Sequence, residues 1–130
     1  MGMQIKTILV VFLLSVSSTG LAKTPLEVVN ARMSAHNAHD LEQFLAVYSE
    51  TIQIYDFPNT PLGSKGKDHI RRIFSPLFNR QSVKTTIKSQ MVNGEYVVNR
   101  ESVYREGKVI EYISIYEVKN NLIESVRFIK

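Results

Sequence analysis

The sequence predicts an α+β fold in which N-terminal helices pack against a mostly antiparallel sheet. Two observations carry this. Three segments with helical apolar spacing lie before residue 80, with one strand pattern between the second and third. From Val83 onward the chain consists of four β-rich runs joined by hairpin turn signals.

The first 22 residues read as a segment outside that fold. Lys6 is the only charge before a mostly apolar run from Ile8 to Val16, and Gly20 and Ala22 are small residues placed for a cut after Ala22. These are the parts of a secretory signal peptide. The run is under half the length of about 20 residues that a membrane span needs. The expectation is a secreted or periplasmic protein, with no membrane attachment after cleavage. Removing 22 residues from 130 leaves 108, the size of one domain spanning residues 23–130. With no cysteine in the chain, neither a disulfide scaffold nor a lipid-bearing thioether is available. Loss of Lys6 lowers the formal charge from +4 to +3, and acids and bases alternate, so nucleic acid is not an expected partner.

Thr24 is placed to cap a first helix that starts at Pro25, where the missing N–H costs nothing. Leu26, Val29, Met33 and His36 then form one stripe, and Asn37 and Ala38 end the helix. Asp40 caps a second helix, with Gln43 positioned for a capping box and Leu41, Phe44, Leu45 and Tyr48 as its apolar face. Two short antiparallel helices result. A strand from about Thr51 to Asp56 follows, then a loop rich in turn formers from Pro58 to Gly66. Lys67 to Phe78 forms a third helix with Ile70, Ile73, Phe74 and Leu77 on one side. Pro76 should bend or fray its last turn. The basic run Lys65, Lys67, Arg71 and Arg72 on the other side reads as a solvated face rather than an anion site.

The four final strands are Val83–Val92, Tyr96–Tyr104, Val109–Val118 and Leu122–Ile129, separated by Asn93-Gly94, Glu106-Gly107 and Asn120-Asn121. Alternation puts Val97, Asn99, Glu101 and Val103 on one face, with Ile110, Tyr112, Ser114, Tyr116 and Val118 beside them. The opposite face carries Ile113 and Ile115 and is too apolar for a fully solvated sheet. A second copy of the chain covering that outer face is the simplest explanation, since homodimers through one self-complementary patch are the commonest assemblies. Scattered exposed aliphatics are the other reading.

The order of elements, together with NAHDL, YDFP, GKDHIRRIF and IYEVKNNLIESVRFI, resembles the SnoaL-like branch of the nuclear transport factor 2-like (NTF2-like) superfamily across Leu26 to Ile129. The resemblance implies a cone: a curved sheet wrapped around three helices, enclosing a pocket open at one end. That superfamily includes isomerases, cyclases, dehydratases, ligand binders and assembly domains on one scaffold. It also includes ketosteroid isomerase, and aligning through NAHDL puts the general-base aspartate of that enzyme on Asp56. The tyrosine on its first helix that helps hold the oxyanion falls on Arg32. Its protonated aspartic acid falls on Ser114, or on Tyr116 if the register is set from the other turn. The resemblance thus implies a base without the isomerase's enolate stabilisers.

Several residues are candidates for chemistry on a small, largely apolar molecule without a cofactor. Asp56 could shuttle a proton if burial raises its pKa, or it could merely cap the turn before Pro58. Glu101 and Asn99 point into the cone, and a buried carboxylate must be protonated, paired or wet. Arg32 could be the partner of either acid, so a structural Arg32–Glu101 ion pair competes with an acid/base role for Glu101. His36 lies on an apolar stripe and reads as a packed core histidine or a site residue. Tyr112, Ser114 and Tyr116 could present hydroxyls to a ligand. His39 and His69 read as surface residues. No histidine pair has spacing suited to one metal ion, and no phosphate loop or nucleophile elbow is present.

Overall fold

The computed structural model describes Gly2 and residues 22–130. The signal-peptide expectation for residues 1–22 therefore falls, apart from Gly2 and Ala22, outside the described residues. Among the described residues no helix is long and apolar enough to cross a membrane.

Helix α1 spans Pro25–Asn37, α2 Leu41–Ala46 and α3 Lys67–Asn79. Strand β1 covers Tyr48–Asp56 and β2 the two residues Thr60–Pro61; β3 to β6 are Val83–Asn93, Tyr96–Arg105, Lys108–Lys119 and Leu122–Ile129. The six strands form one sheet in the order β2-β1-β6-β5-β4-β3. Only the β1–β6 pairing is parallel. The sheet curves around the helices, and the core lies between them: Val29, Phe44, Val97, Tyr116 and Ile123 are fully enclosed.

Local chemistry explains the element boundaries. Thr24 accepts from the Glu27 N–H while the Glu27 carboxylate reaches back to the cap, a reciprocal box at the start of α1. Asp40 caps α2 by accepting from the Gln43 N–H, but Gln43 does not return the bond. The second helix is shorter than its apolar spacing suggests. It stops at Ala46, so Tyr48 opens β1 instead of completing a helical face. The loop expected between residues 58 and 66 also contains a short strand, because Thr60 and Pro61 fold back on Asp56 and Tyr55. Pro76 is accommodated inside α3, which continues to Asn79. The basic residues on its outer side meet surface partners: Lys67 with Glu50 at 3.3 Å and Arg71 with Glu42 at 3.0 Å.

The hairpins follow their turn residues closely. Glu106-Gly107 and Asn120-Asn121 have positive φ at both central positions, as two-residue turns between twisted strands require. The β3–β4 turn is centred one residue later than expected, on Gly94 and Glu95, because Asn93 still pairs with Tyr96. Within β3 a bulge at Lys88 changes the side-chain phase. Val83, Thr85 and Ile87 face the helices before it. Beyond it Gln90 sits opposite Asn99 and faces inward, whereas unbroken alternation would turn it out.

Candidate functional site

A cavity of about 230 Å³ lies between the helices and the inner face of the sheet. Its walls are apolar, supplied by Ile54, Ile73, Phe74, Val103, Val126 and Phe128. Its floor is not. Arg32 and His36 are one turn apart on α1, which places both on the same face of the helix, and both line the cavity while remaining buried. Asp56, Leu62 and Arg105 stand nearer the mouth, where the lining becomes exposed to solvent.

Arg32 donates from Nε to the Tyr48 hydroxyl at 2.5 Å, and Nη1 contacts the Met33 sulfur at 3.6 Å. Its guanidinium also lies 5.1 Å from the Phe44 ring centre and 5.2 Å from that of Tyr116. Burial works against the charge, but the oxygens of Tyr116, Tyr48 and Glu101 outweigh it and raise the Arg32 pKa. Arg32 is thus a permanent buried cation. Nη2 has no protein partner among the described residues. Every fully enclosed side-chain polar atom there does have one, so Nη2 opens onto the cavity. Tyr48 is held protonated, because burial raises its pKa more than Arg32 lowers it. Its oxygen accepts from Arg32 while its own proton has no acceptor among the described residues.

His36 is packed among Phe44, Phe74 and Phe78, with ring centres 5.6–5.9 Å away. Burial, reinforced by the Arg32 charge, pushes its pKa down to about 4, so it is neutral near pH 7. Its tautomer follows from its neighbour. Asn37 donates from Nδ2 to the Thr85 carbonyl and accepts the Thr85 N–H on Oδ1, both at 2.8 Å, which fixes the orientation of the amide. The Asn37 atom 3.2 Å from His36 Nδ1 is that same Oδ1, so Nδ1 must carry the proton. Nε2 is left as a bare acceptor. With no partner among the described residues it too opens onto the cavity.

Glu101 lines the cavity at 2% exposure and is the hub of a hydrogen-bond cluster. Oε1 accepts from the Tyr116 hydroxyl at 2.5 Å and from Asn99 Nδ2 at 3.3 Å; Oε2 accepts from the Ser114 hydroxyl at 2.9 Å. Asn99 in turn accepts from Gln90, which also donates to Asn30 on α1. The phase change at Lys88 is what brings Gln90 to this chain of bonds. Burial raises the Tyr116 pKa well above its ordinary value, so Tyr116 remains a donor.

Of the residues singled out in the sequence, Asp56, Glu101, Arg32, His36 and Tyr112 line this one cavity. Asn99, Ser114 and Tyr116 do not line it; they stand behind Glu101 and hold its carboxylate. No direct Arg32–Glu101 ion pair forms among the described residues. Asp56 shares the inward phase of Ile52 and Ile54, and its carboxylate caps no turn; the Phe57 N–H is taken by the Phe128 carbonyl at 3.0 Å. Asp56 and Glu101 are three strands apart, about 14 Å along the sheet at ~4.8 Å per strand. Tyr112 and Phe128, with ring centres 5.4 Å apart, lie on the strands between.

Tyr48, Thr85, Arg105 and Lys130 are the polar lining residues that sequence reasoning missed. Arg105 was within reach of it, since the inward phase Val97 to Val103 arrives at Arg105 one step later. Tyr48 left no local signal, because its role depends on Arg32, sixteen residues away. His39, expected at the surface, is half-buried and bonds the Val83 carbonyl at 2.7 Å. Among the described residues no three His, Asp or Glu side chains gather as a metal site would require.

Comparison with known proteins places this geometry. An uncharacterised cystatin-fold protein from Novosphingobium aromaticivorans superposes with a TM-score of 0.75 at 21% identity, covering 83% of this chain and 99% of its own. An NTF2-like protein of unknown function from Cytophaga hutchinsonii gives 0.72 at 14% identity, covering 85% and 92%. A protein from Kribbella flavida assigned provisionally as a ketosteroid isomerase gives 0.64 at 14% identity, covering 78% and 73%. Likeness at such identities shows the fold alone, and the fold is NTF2-like. No curated protein matches the chain in sequence. The SnoaL-like domain family does match, over residues 29–126, a span that runs from α1 through Glu101 to β6, and the chain belongs to that family.

Proposed function

We propose that this protein binds a small, largely apolar molecule carrying an oxygen-bearing head group, and acts on it by proton transfer without a cofactor. The observation that supports this most is the contrast between apolar walls and a floor whose polar atoms are already oriented. Arg32 Nη2 and the Tyr48 hydroxyl, on two bonded residues that line the cavity, are donors with no acceptor among the described residues, and a developing negative oxygen needs such donors. They offer an electrophilic pair in which Arg32 stands where the isomerase's tyrosine aligns, while Ser114 and Tyr116, the alternative positions for its aspartic acid, are engaged with Glu101. Asp56, inward-facing nearer the mouth, is the proposed base, with Glu101 as the proposed proton partner. A cavity of about 230 Å³ is below the ~300–1,000 Å³ usual for drug-sized ligands, which suits a molecule of one or two rings.

Deuterium incorporation α to the carbonyl of 1-indanone, followed by NMR in heavy water, tests the reaction. The wild type should accelerate exchange, and Asp56→Asn should lose about 10²-fold or more of that acceleration while melting normally. Equal exchange by both proteins would end the case for Asp56 as base. If ketones raised the melting temperature without any exchange, the binding module without catalysis would stand in its place.

Two further features belong to this reading. The outer sheet face exposes Met91, Val109 and Ile113, at 63%, 65% and 42%, and association of two copies through that face would cover them. Export to the periplasm or beyond, with cleavage after Ala22, is supported by the composition of residues 1–22. Mass spectrometry of the exported protein should give a chain beginning at Lys23.

A further inference from the structure

The geometry points to a ligand head group that both accepts and donates: a carbonyl oxygen for Arg32 and Tyr48, beside an N–H or O–H for His36 Nε2. Carboxamides, protonated carboxylic acids and enolised dicarbonyls have this pattern, whereas simple ketones and esters have only half of it. This rests on the cavity being a ligand site, as proposed above, and adds what the site selects.

Three observations carry it. The Asn37 amide is locked by two bonds to the Thr85 backbone, so the proton of His36 is committed to Nδ1 and cannot be offered to a ligand from Nε2. His36 and Arg32 are one turn apart on the same face of α1, so the acceptor and the cationic donor lie side by side, at a separation of about 5–6 Å between Cβ atoms. Finally, the aromatic packing around His36 leaves its ring little freedom to turn Nε2 elsewhere. A ligand that fills the cavity but lacks a donor removes water from Nε2 and leaves it unpaired, which costs affinity. His36 is thereby a specificity-determining residue. It reads the atom next to the carbonyl.

Benzamide and acetophenone test this directly, since they are nearly the same size, both are neutral, and they differ by NH₂ against CH₃ beside the carbonyl. Calorimetric titration of the full chain should show benzamide binding about tenfold tighter or more. In His36→Phe, which keeps a ring within the aromatic cluster, the two should bind alike. A second readout does not depend on that variant folding: in ¹⁵N NMR of the wild type, the His36 Nε2 resonance should move with benzamide and stay in place with acetophenone. Equal affinities for the wild type, or an Nε2 resonance that ignores benzamide, would overturn the inference while leaving the cavity a ligand site. Failure of both compounds to bind would remove the ligand site itself, and this inference with it.

Discussion

The Nε of Arg32 donates to the Tyr48 hydroxyl at 2.5 Å in the enclosed floor of the cavity. This bond joins the first helix to the first strand and orients both donors on which the proposed chemistry depends. It also makes Tyr48 a better donor, because a hydroxyl that accepts from a cation is polarised. Arg32→Met should therefore destabilise the fold by about 1–3 kcal/mol, since Tyr48 loses its partner in a buried place. Adding Tyr48→Phe to that variant should cost less than Tyr48→Phe costs alone. Urea unfolding of the four proteins gives the coupling, and strict additivity would mean that the bond contributes nothing.

His36 makes stability depend on pH. Its pKa is near 6.5 in the unfolded chain and about 4 when folded, so between these values the unfolded state binds more protons. Its neutral form fits the fold fully above pH 6.5, and stability is lost as pH falls from 6.5 toward 4. The loss attributable to this residue is about 3 kcal/mol. His36→Phe should flatten that part of the curve. Identical acid profiles for both proteins in chemical unfolding would refute the assignment.

Glu101 is the shared acceptor of Tyr116, Ser114 and Asn99. Glu101→Leu leaves three buried donors without an acceptor, and should cost about 3–5 kcal/mol. Glu101→Gln keeps one acceptor oxygen and the volume, so its cost should be nearer 1–2 kcal/mol. Thermal melts order the two variants, at about 4–8 °C per kcal/mol for a domain of this size. A Leu variant as stable as the wild type would show that the cluster adds no stability.

Phe44 touches the rings of His36, Tyr48, Phe74 and Phe78 and is fully enclosed. Phe44→Ala should cost about 3–5 kcal/mol by opening a void beside the cavity. It should also weaken benzamide preference, because His36 would then be free to tilt. Undiminished stability would indicate that the surrounding rings collapse into the space.

Sedimentation velocity of the full chain should report a dimer if the outer face associates. Ile113→Glu, an exposed change on that face, should give a monomer with an unchanged melting temperature. A wild type that sediments as a monomer at high concentration rules the association out.

Much of the architecture was legible because its causes are local. Asn120-Asn121 and Glu106-Gly107 announce two-residue turns wherever they occur, since few other residues accept positive φ twice in succession. Alternation in β4 correctly turned Asn99 and Glu101 inward, because a strand has only two faces. The end of α2 was less legible. Tyr48 continues the helical spacing of Leu41 and Phe44, yet β6 draws it into a parallel pairing with Ile123. Helical propensity over six residues is weak beside a sheet partner. The bulge at Lys88 was also hidden, since nothing in Ile87-Lys88-Ser89 marks an unpaired residue.

By itself, then, the sequence determined the order of the three helices and five of the six strands, the inward faces of β4 and β5 and the position of Asp56 at the end of β1. These follow from short-range rules of period, capping and turn geometry. Only the tertiary structure decided that Glu101 is held by Ser114, Tyr116 and Asn99 rather than paired with Arg32, that Arg32 turns to Tyr48, and that Asn37 commits the proton of His36 to Nδ1. Each of those depends on which polar atoms meet across elements that are distant in the chain, and hydrogen bonds act over about 3 Å. Pattern can say that a polar residue points inward, but its partner is chosen by the packing.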